Sequence, residues 1–221
     1  YIPVAHSKGE AQSPVLIQTG PTIVEAIANE KENAYQRRVF KYQVAQLWKS
    51  FKSGAITCFS FVSPIGLSFL PKLFTDSFGL TRPVPHPDKV GLTKEAIKNK
   101  KVSREVSNHH KELVGIELKD QVTMAKNALS AMSLTDNFAK FVLIVGHGST
   151  TVNNPHATGL DCGACGGHTG EANARVATAV FNNVEVRQLL RDENIVIPNE
   201  TIFLPCLHDT TTDELSILDD S

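Results

Sequence analysis

Phe141-Val142-Leu143-Ile144-Val145 runs without a break into Gly146-His147-Gly148-Ser149. A continuous apolar run of this length reads as a strand buried on both faces, the pattern of a parallel sheet. The polar residues then fall at the strand's carboxyl end. Downstream, the Ala-rich stretch Glu171 to Phe181 reads as a helix, and Asn183 is placed to cap another over Val184 to Arg191. Pro198 and Asn199 turn the chain into a further strand, Thr201 to Leu204, which is expected to end at Pro205. His208-Asp209-Thr210-Thr211-Thr212-Asp213 follows as a polar loop. Strands alternating with helices predict an α/β fold, a mostly parallel sheet flanked by helices. In such folds the working residues gather at the carboxyl ends of strands, where both polar segments lie.

Upstream the pattern is less sharp. Residues 1–20, with Pro3, Gly9, Pro14 and Gly20, read as extended and turn-rich. Thr22 and Glu25 form a capping box that predicts a long helix stopping at Gly54. Its second half carries Phe40, Val44, Leu47, Trp48 and Phe51 at helical spacing, read as a core-facing stripe. Ile56 to Val62 reads as a strand, and Pro64 to Phe78 as a helix closed by Gly79. Residues 81–92, with three prolines, read as a loop. Lys98 to Lys111 is polar and locally basic, a solvated loop or helix face or else a docking patch. Glu117 to Met132 is helical again. No internal repeat is present.

Composition narrows the class. The chain has 221 residues, 41% apolar and 20% charged, as expected of a globular protein with a real core. Twenty-two basic and 23 acidic residues give a net charge of −1, which excludes a whole-domain electrostatic footprint for nucleic acid. Every apolar stretch is broken well before about 18 residues, so no segment is expected to span a membrane. No signal peptide is legible. Four cysteines, Cys58, Cys162, Cys165 and Cys206, do not make a disulfide scaffold in a chain of this length. Cys58 reads as a core residue. The chain begins at Tyr1 and stops soon after a polar motif. The expectation is a single α/β domain over 1–221 that is a fragment of a longer protein, truncated at both ends.

The chemistry concentrates between Gly146 and Arg175. This stretch holds His147, His156, Cys162, Cys165 and His168 among seven glycines. Imidazole with soft thiolate is a zinc donor set. Glycine lets the backbone turn tightly and approach a small ligand. Cys162-Gly163-Ala164-Cys165 also has the spacing of a thiol redox pair, but that reading gives His147 no task. A zinc ribbon would need a second such pair. A catalytic metal site, a closed structural zinc-binding module, thiol chemistry by Cys162 or Cys165 with His147 as base, and a purely structural turn all stay open. If a metal binds, His147 and Cys162 make two ligands, Cys165 could bind as well, and further ligands are expected from another strand, because a catalytic zinc needs rigidly placed ligands and one open position. Asp161 beside Cys162 is either a hydrogen-bonding support for a ligand or a turn residue. His156, His168 and His208 read as hydrogen-bonding or proton-handling groups. Asp209 and Asp213 could orient water near the site, or the threonines between them could form a capping turn.

The stretch V-G-H-G-S-T-T-V-N-N-P-H-A-T-G-L-D-C-G-A-C-G-G, followed by G-E-A-N-A-R, resembles the signature of the DabA, or YbcC-like, family of inorganic carbon transporter subunits. Gly9 to Pro14 and His208 to Asp213 agree with it, and the likeness is weakest between about 70 and 115. The resemblance implies a large zinc-containing protein, peripheral on the cytoplasmic face of the cell membrane. It implies a DabB-like membrane partner, similar to ion-translocating subunits of respiratory complexes, and uptake of CO2 or bicarbonate. It also implies a site like that of β-class carbonic anhydrases, with Cys, Asp, His and Cys around Zn2+ and CO2 hydration at the metal. The His and second Cys of that set fall on His147 and Cys162. Cys165 is not a ligand in this scheme. The first Cys and the Asp belong to a C-I-D-V-R motif that lies before Gly9–Pro14 in the family and is absent here. The 221 residues alone are therefore expected to bind zinc weakly or not at all and to be inactive.

Overall fold

The computed structural model of the chain describes residues 4–6, 23–27, 33–60, 62, 65–80, 93–94, 100–103, 107–109, 112–151, 154, 156, 159–161 and 169–218. In chain order the elements are β1 (Val4–His6), β2 (Ile23–Ile27), α1 (Asn33–Ser53), α2 (Thr57–Ser60) and α3 (Leu70–Ser77). There follow β3 (Lys100–Ser103), β4 (Ser107–His109), β5 (Glu112–Val114) and α4 (Leu118–Ala131). The last five are β6 (Phe141–Gly148), α5 (Glu171–Phe181), α6 (Val184–Asp192), β7 (Ile202–Asp209) and β8 (Glu214–Ile217).

The apolar run at 141–145 is a strand, as its sequence predicts, and it continues through His147 to Gly148. β6 pairs in parallel with β7 over all eight residues, from Phe141 opposite Ile202 to Gly148 opposite Asp209. β8 adds to the other side of β7 in antiparallel register. Helices α4, α5 and α6 pack on one face. Their Leu129, Val180, Phe181, Val186 and Leu190 form a core with Phe203, and Val142 and Ile144 of β6 pack against it. Burying a side chain of this size is worth roughly 1.5–3 kcal/mol. The Phe181 and Phe203 rings lie 5.0 Å apart, centroid to centroid.

Two side chains finish the edge of β7 ahead of β8. Ile202 N donates to Lys140 O, and Thr210 N donates to Gly148 O, so even-numbered residues of β7 turn their backbone toward β6. Odd-numbered residues turn away. Asn182, just past α5, meets one of them as a strand would: its Nδ2 donates to Phe203 O at 2.8 Å and its Oδ1 accepts from Phe203 N at 3.0 Å. Arg187 of α6 locks this amide, donating to Asn182 Oδ1, Thr201 O and Phe181 O at 2.9, 2.8 and 2.7 Å. Pro205 is also odd-numbered. Its missing N–H therefore costs the β6 ladder nothing, and its carbonyl accepts from Leu218 N.

Several sequence expectations need correction. The sheets are mixed rather than mostly parallel: β1–β2 and β6–β7 are parallel, while β2–β3, β4–β5 and β7–β8 are antiparallel. β6 is not buried on both faces, since Phe141, Leu143 and Val145 are each about half exposed. The second strand does not end at Pro205, because the proline falls on the side that β6 does not use. Thr22–Glu25 is no helix start: residues 23–27 are a strand, and the helix begins at Asn33. The Phe40–Phe51 stripe faces solvent instead of the core, with Leu47 at 70% exposure. Residues 57–60 are helical, not extended, and Cys58 is half-buried outside the core. The basic stretch after Lys98 contains strands β3 and β4. The helices at 70–77, 118–131, 171–181 and 184–192 stand where they are predicted. Gly79 ends its turn at φ +68°, and Asn183 caps α6 through Glu185 N. The loop reading of 81–92 lies outside the described residues.

Asn182→Ala removes both bonds to Phe203 and leaves Arg187 short of an acceptor. We expect a loss of about 2–3 kcal/mol in urea unfolding. Leu189→Ala, on the exposed side of α6, is expected to change stability by less than about 0.5 kcal/mol.

Candidate functional site

The parallel register brings the two polar segments together. His147 lies opposite His208, and Gly148 opposite Asp209, at the carboxyl ends of β6 and β7. Directly opposed residues of neighbouring strands project to the same face. His147 and His208 therefore share the face that α4–α6 leave uncovered, the one that carries Leu143 and Val145. His147 is exposed.

Two glycines set the geometry beneath His147. A Cβ on Gly146 would stand 2.4 Å from Gly170 O, and one on Gly170 would stand 2.9 Å from both Gly146 Cα and His147 N. The first residue before α5 thus rests directly on the backbone of β6, and Gly170 N donates to His147 O at 2.7 Å. The segment between β6 and α5, which contains the cysteine motif, leaves the strand end and returns to the same point. Glu171 and Arg175 pair at 3.0 Å in the first turn of α5, both largely buried.

Hydroxyls tie the two strand ends together. Thr150 Oγ1 donates to Asp209 Oδ2 at 2.6 Å, and Thr211 Oγ1 lies 2.6 Å from Asp209 Oδ1. Thr211 N also donates to Oδ1, closing a turn on Asp209's own carboxylate. Thr150 N donates to Thr211 Oγ1, and Thr210 Oγ1 donates to Gly148 O. Burial alone pushes the Asp209 carboxyl up, but the bonds from Thr150 and Thr211 outweigh it and hold the group well below the usual carboxylate range.

The remaining site residues divide clearly. Asp161 is more than a turn residue: its Oδ1 accepts from both Ser149 N and Ser149 Oγ at 2.9 Å. Ser149 is two residues after His147, and Asp161 is one before Cys162, so this bond draws the two segments together. His208 Nε2 lies 2.7 Å from Asp213 Oδ1, which holds the ring in one orientation. His156 is exposed, its amide donating to Asn154 Oδ1. Cys162, Cys165 and His168 lie outside the described residues. Among the described residues, no three His, Cys, Asp or Glu side chains gather closely enough to hold a metal. Sequence reasoning missed Ser149, Thr150 and the bridging role of Thr211. The available signal was three hydroxyl residues placed directly after strands that end side by side.

The family model described as probable inorganic carbon transporter subunit DabA matches residues 1–221. A protein of Chloroflexus aggregans with that same description is 50% identical over 223 residues, covering 99% of this chain and 27% of the relative. One from Roseiflexus castenholzii is 48% identical, over 99% of this chain and 26% of the relative. Another, from a Bradyrhizobium strain, is 48% identical over 100% of this chain and 26% of its own length. The chain spans about a quarter of the relatives it matches. No solved structure gives a significant match.

The depressed Asp209 carboxyl carries a pH signature. A lowered folded-state pKa adds stability that is fully present above the unfolded value, near pH 4, and is lost as the pH falls below it. Asp209→Asn is expected to be less stable than the parent at pH 7, with the gap between their urea midpoints closing below about pH 4. A gap independent of pH would refute the ionised clasp.

Proposed function

The chain belongs to the family of probable inorganic carbon transporter subunits DabA, and we propose that it forms the zinc-site half of a subunit serving CO2 or bicarbonate uptake. In this reading His147 and Cys162 hold Zn2+ together with two ligands supplied from outside the 221 residues. Imidazole and thiolate suit zinc, and a strand end with one exposed imidazole suits a metal shared with another segment. The observation that carries the reading is the Ser149–Asp161 bond, which ties the neighbourhood of Cys162 to the strand end bearing His147.

When bound, zinc supplies a Lewis acid that makes water a competent nucleophile toward CO2 near neutral pH. The chain's own residues prepare the position. Gly146 and Gly170 let α5 seat against β6, and the Gly170 N–H on His147 O fixes the backbone that carries the imidazole. The Asp209 clasp keeps the loop after His147 from drifting. Asp213 orients His208 on the same face.

Coupling to a DabB-like, ion-translocating membrane subunit and a peripheral position on the cytoplasmic face of the membrane complete the proposal. No described helix is long and apolar enough to cross a membrane, which is compatible with such a position.

His147→Ala and Cys162→Ala in the full-length protein with its membrane partner are expected to lose zinc, read by atomic absorption, and to abolish uptake of labelled inorganic carbon. Full zinc content in either variant would sink the ligand assignment. Loss of zinc with uptake intact would sink the role of the metal in transport.

A further inference from the structure

Residues 33–80 are unlike the rest of the chain. They hold six basic residues, Arg37, Arg38, Lys41, Lys49, Lys52 and Lys72, against one acidic residue, Asp76, in a chain whose net charge is −1. All five basic residues of α1 stand on a 21-residue helix with no Asp or Glu. The same stretch displays its large apolar side chains. On α1, Phe40, Leu47 and Trp48 are 66, 70 and 41% exposed, and Val44, Leu47, Trp48 and Phe51 line a groove of about 350 Å³. Trp48 and Phe51 stack at 5.6 Å, with the Lys52 ammonium 5.8 Å from the indole. Beyond α1, Leu67, Leu73, Phe74 and Phe78 are each more than 60% exposed.

Water alone does not favour this much apolar surface, and a larger exposed patch marks an interaction site. α1 is too charged to cross a bilayer, and no described helix qualifies. A cationic helix with an aromatic and leucine face has the composition of one that lies in the membrane interface. Its apolar side chains enter the acyl boundary while lysines reach back to the headgroups. At about 1.5 Å per residue it would lie along roughly 30 Å of surface. We infer that α1, together with the apolar residues of 67–78, docks directly on an anionic lipid surface. The charge balance selects that occupant: an acidic bilayer complements a helix with five positive charges and no negative one, whereas an apolar protein groove would leave those charges unanswered. The inference deepens the peripheral location proposed above, since it supplies the chain with its own lipid contact in addition to any made through a membrane partner.

Trp48 is the chain's single tryptophan, so its fluorescence reports this surface alone. The 221-residue chain is mixed with vesicles of phosphatidylcholine, or of phosphatidylcholine with phosphatidylglycerol. The expected result is a blue shift of Trp48 emission and co-sedimentation at least tenfold stronger with the anionic vesicles, reduced several-fold at high salt. Leu47→Asp and Lys41→Glu change exposed residues outside the core. Each is expected to weaken binding roughly tenfold while circular dichroism and unfolding midpoint stay unchanged. Equal binding to neutral and anionic vesicles, or no Trp48 shift with either, would overturn the inference. A Trp48 shift produced only by the membrane subunit in neutral detergent would overturn it in favour of protein docking. In both cases the peripheral location would stand, tested by whether the full-length protein fractionates with membranes through its partner.

Discussion

The contact between Gly146 and Gly170 is the constraint from which the rest of the site follows. Two backbones approach more closely there than any side chain would allow, with a would-be Cβ 2.4 Å from a carbonyl oxygen. That approach sets where α5 begins. It thereby sets where the segment after β6 must end, beside the strand tip from which it starts. It also aligns Gly170 N with His147 O. A Cβ at either position would push the start of α5 away from β6.

The second organising fact is that the helices cover only one face of the β6–β7–β8 sheet. Phe203, Val142 and Ile144 are gathered into the core by α4, α5 and α6, while Phe141, Leu143, Leu215 and Ile217 remain about half exposed or more on the other face. His147 and His208 belong to that open face. The arrangement sets His147, which is exposed, apart from the packing that stabilises the domain.

Legibility in the sequence followed the range of the interactions. The helices from residue 70 onward announce themselves through local signals, such as Asn183 at a cap or Gly79 past a helix end. Strand β6 is legible because five apolar residues in a row leave few alternatives. The early region misled because its signals are local and its context is not. Thr22 and Glu25 have capping-box spacing, yet Glu25 lies in a strand pairing with β1 and β3, where ladder bonds outweigh a cap worth about 1 kcal/mol. The stripe on α1 has helical periodicity, which reports that one face is apolar and says nothing of what covers it. At the candidate site, the place of His147 at the carboxyl end of β6 was legible from the apolar run before it. The bond between Ser149 and Asp161 and the threonine clasp were not, because both depend on which strand ends become neighbours.

The clasp also decides what Asp209 does. A carboxylate offers about four acceptor sites. Here Oδ2 takes Thr150 Oγ1, while Oδ1 lies within hydrogen-bond reach of Thr211 Oγ1, Thr211 N and, at longer range, Thr150 N and Thr212 N. Thr211 has only one hydroxyl proton. Its oxygen sits 2.6 Å from the charged Oδ1 and 2.8 Å from Thr150 O, so the shorter, charge-assisted bond takes the proton. With its lone pairs engaged in this way, Asp209 is a brace between two strand ends rather than a group held in reserve for a ligand. The anion stays ionised because hydroxyl and amide donors surround it, with no cation needed. The strand end beneath His147 is thereby organised by the chain's own hydrogen bonds.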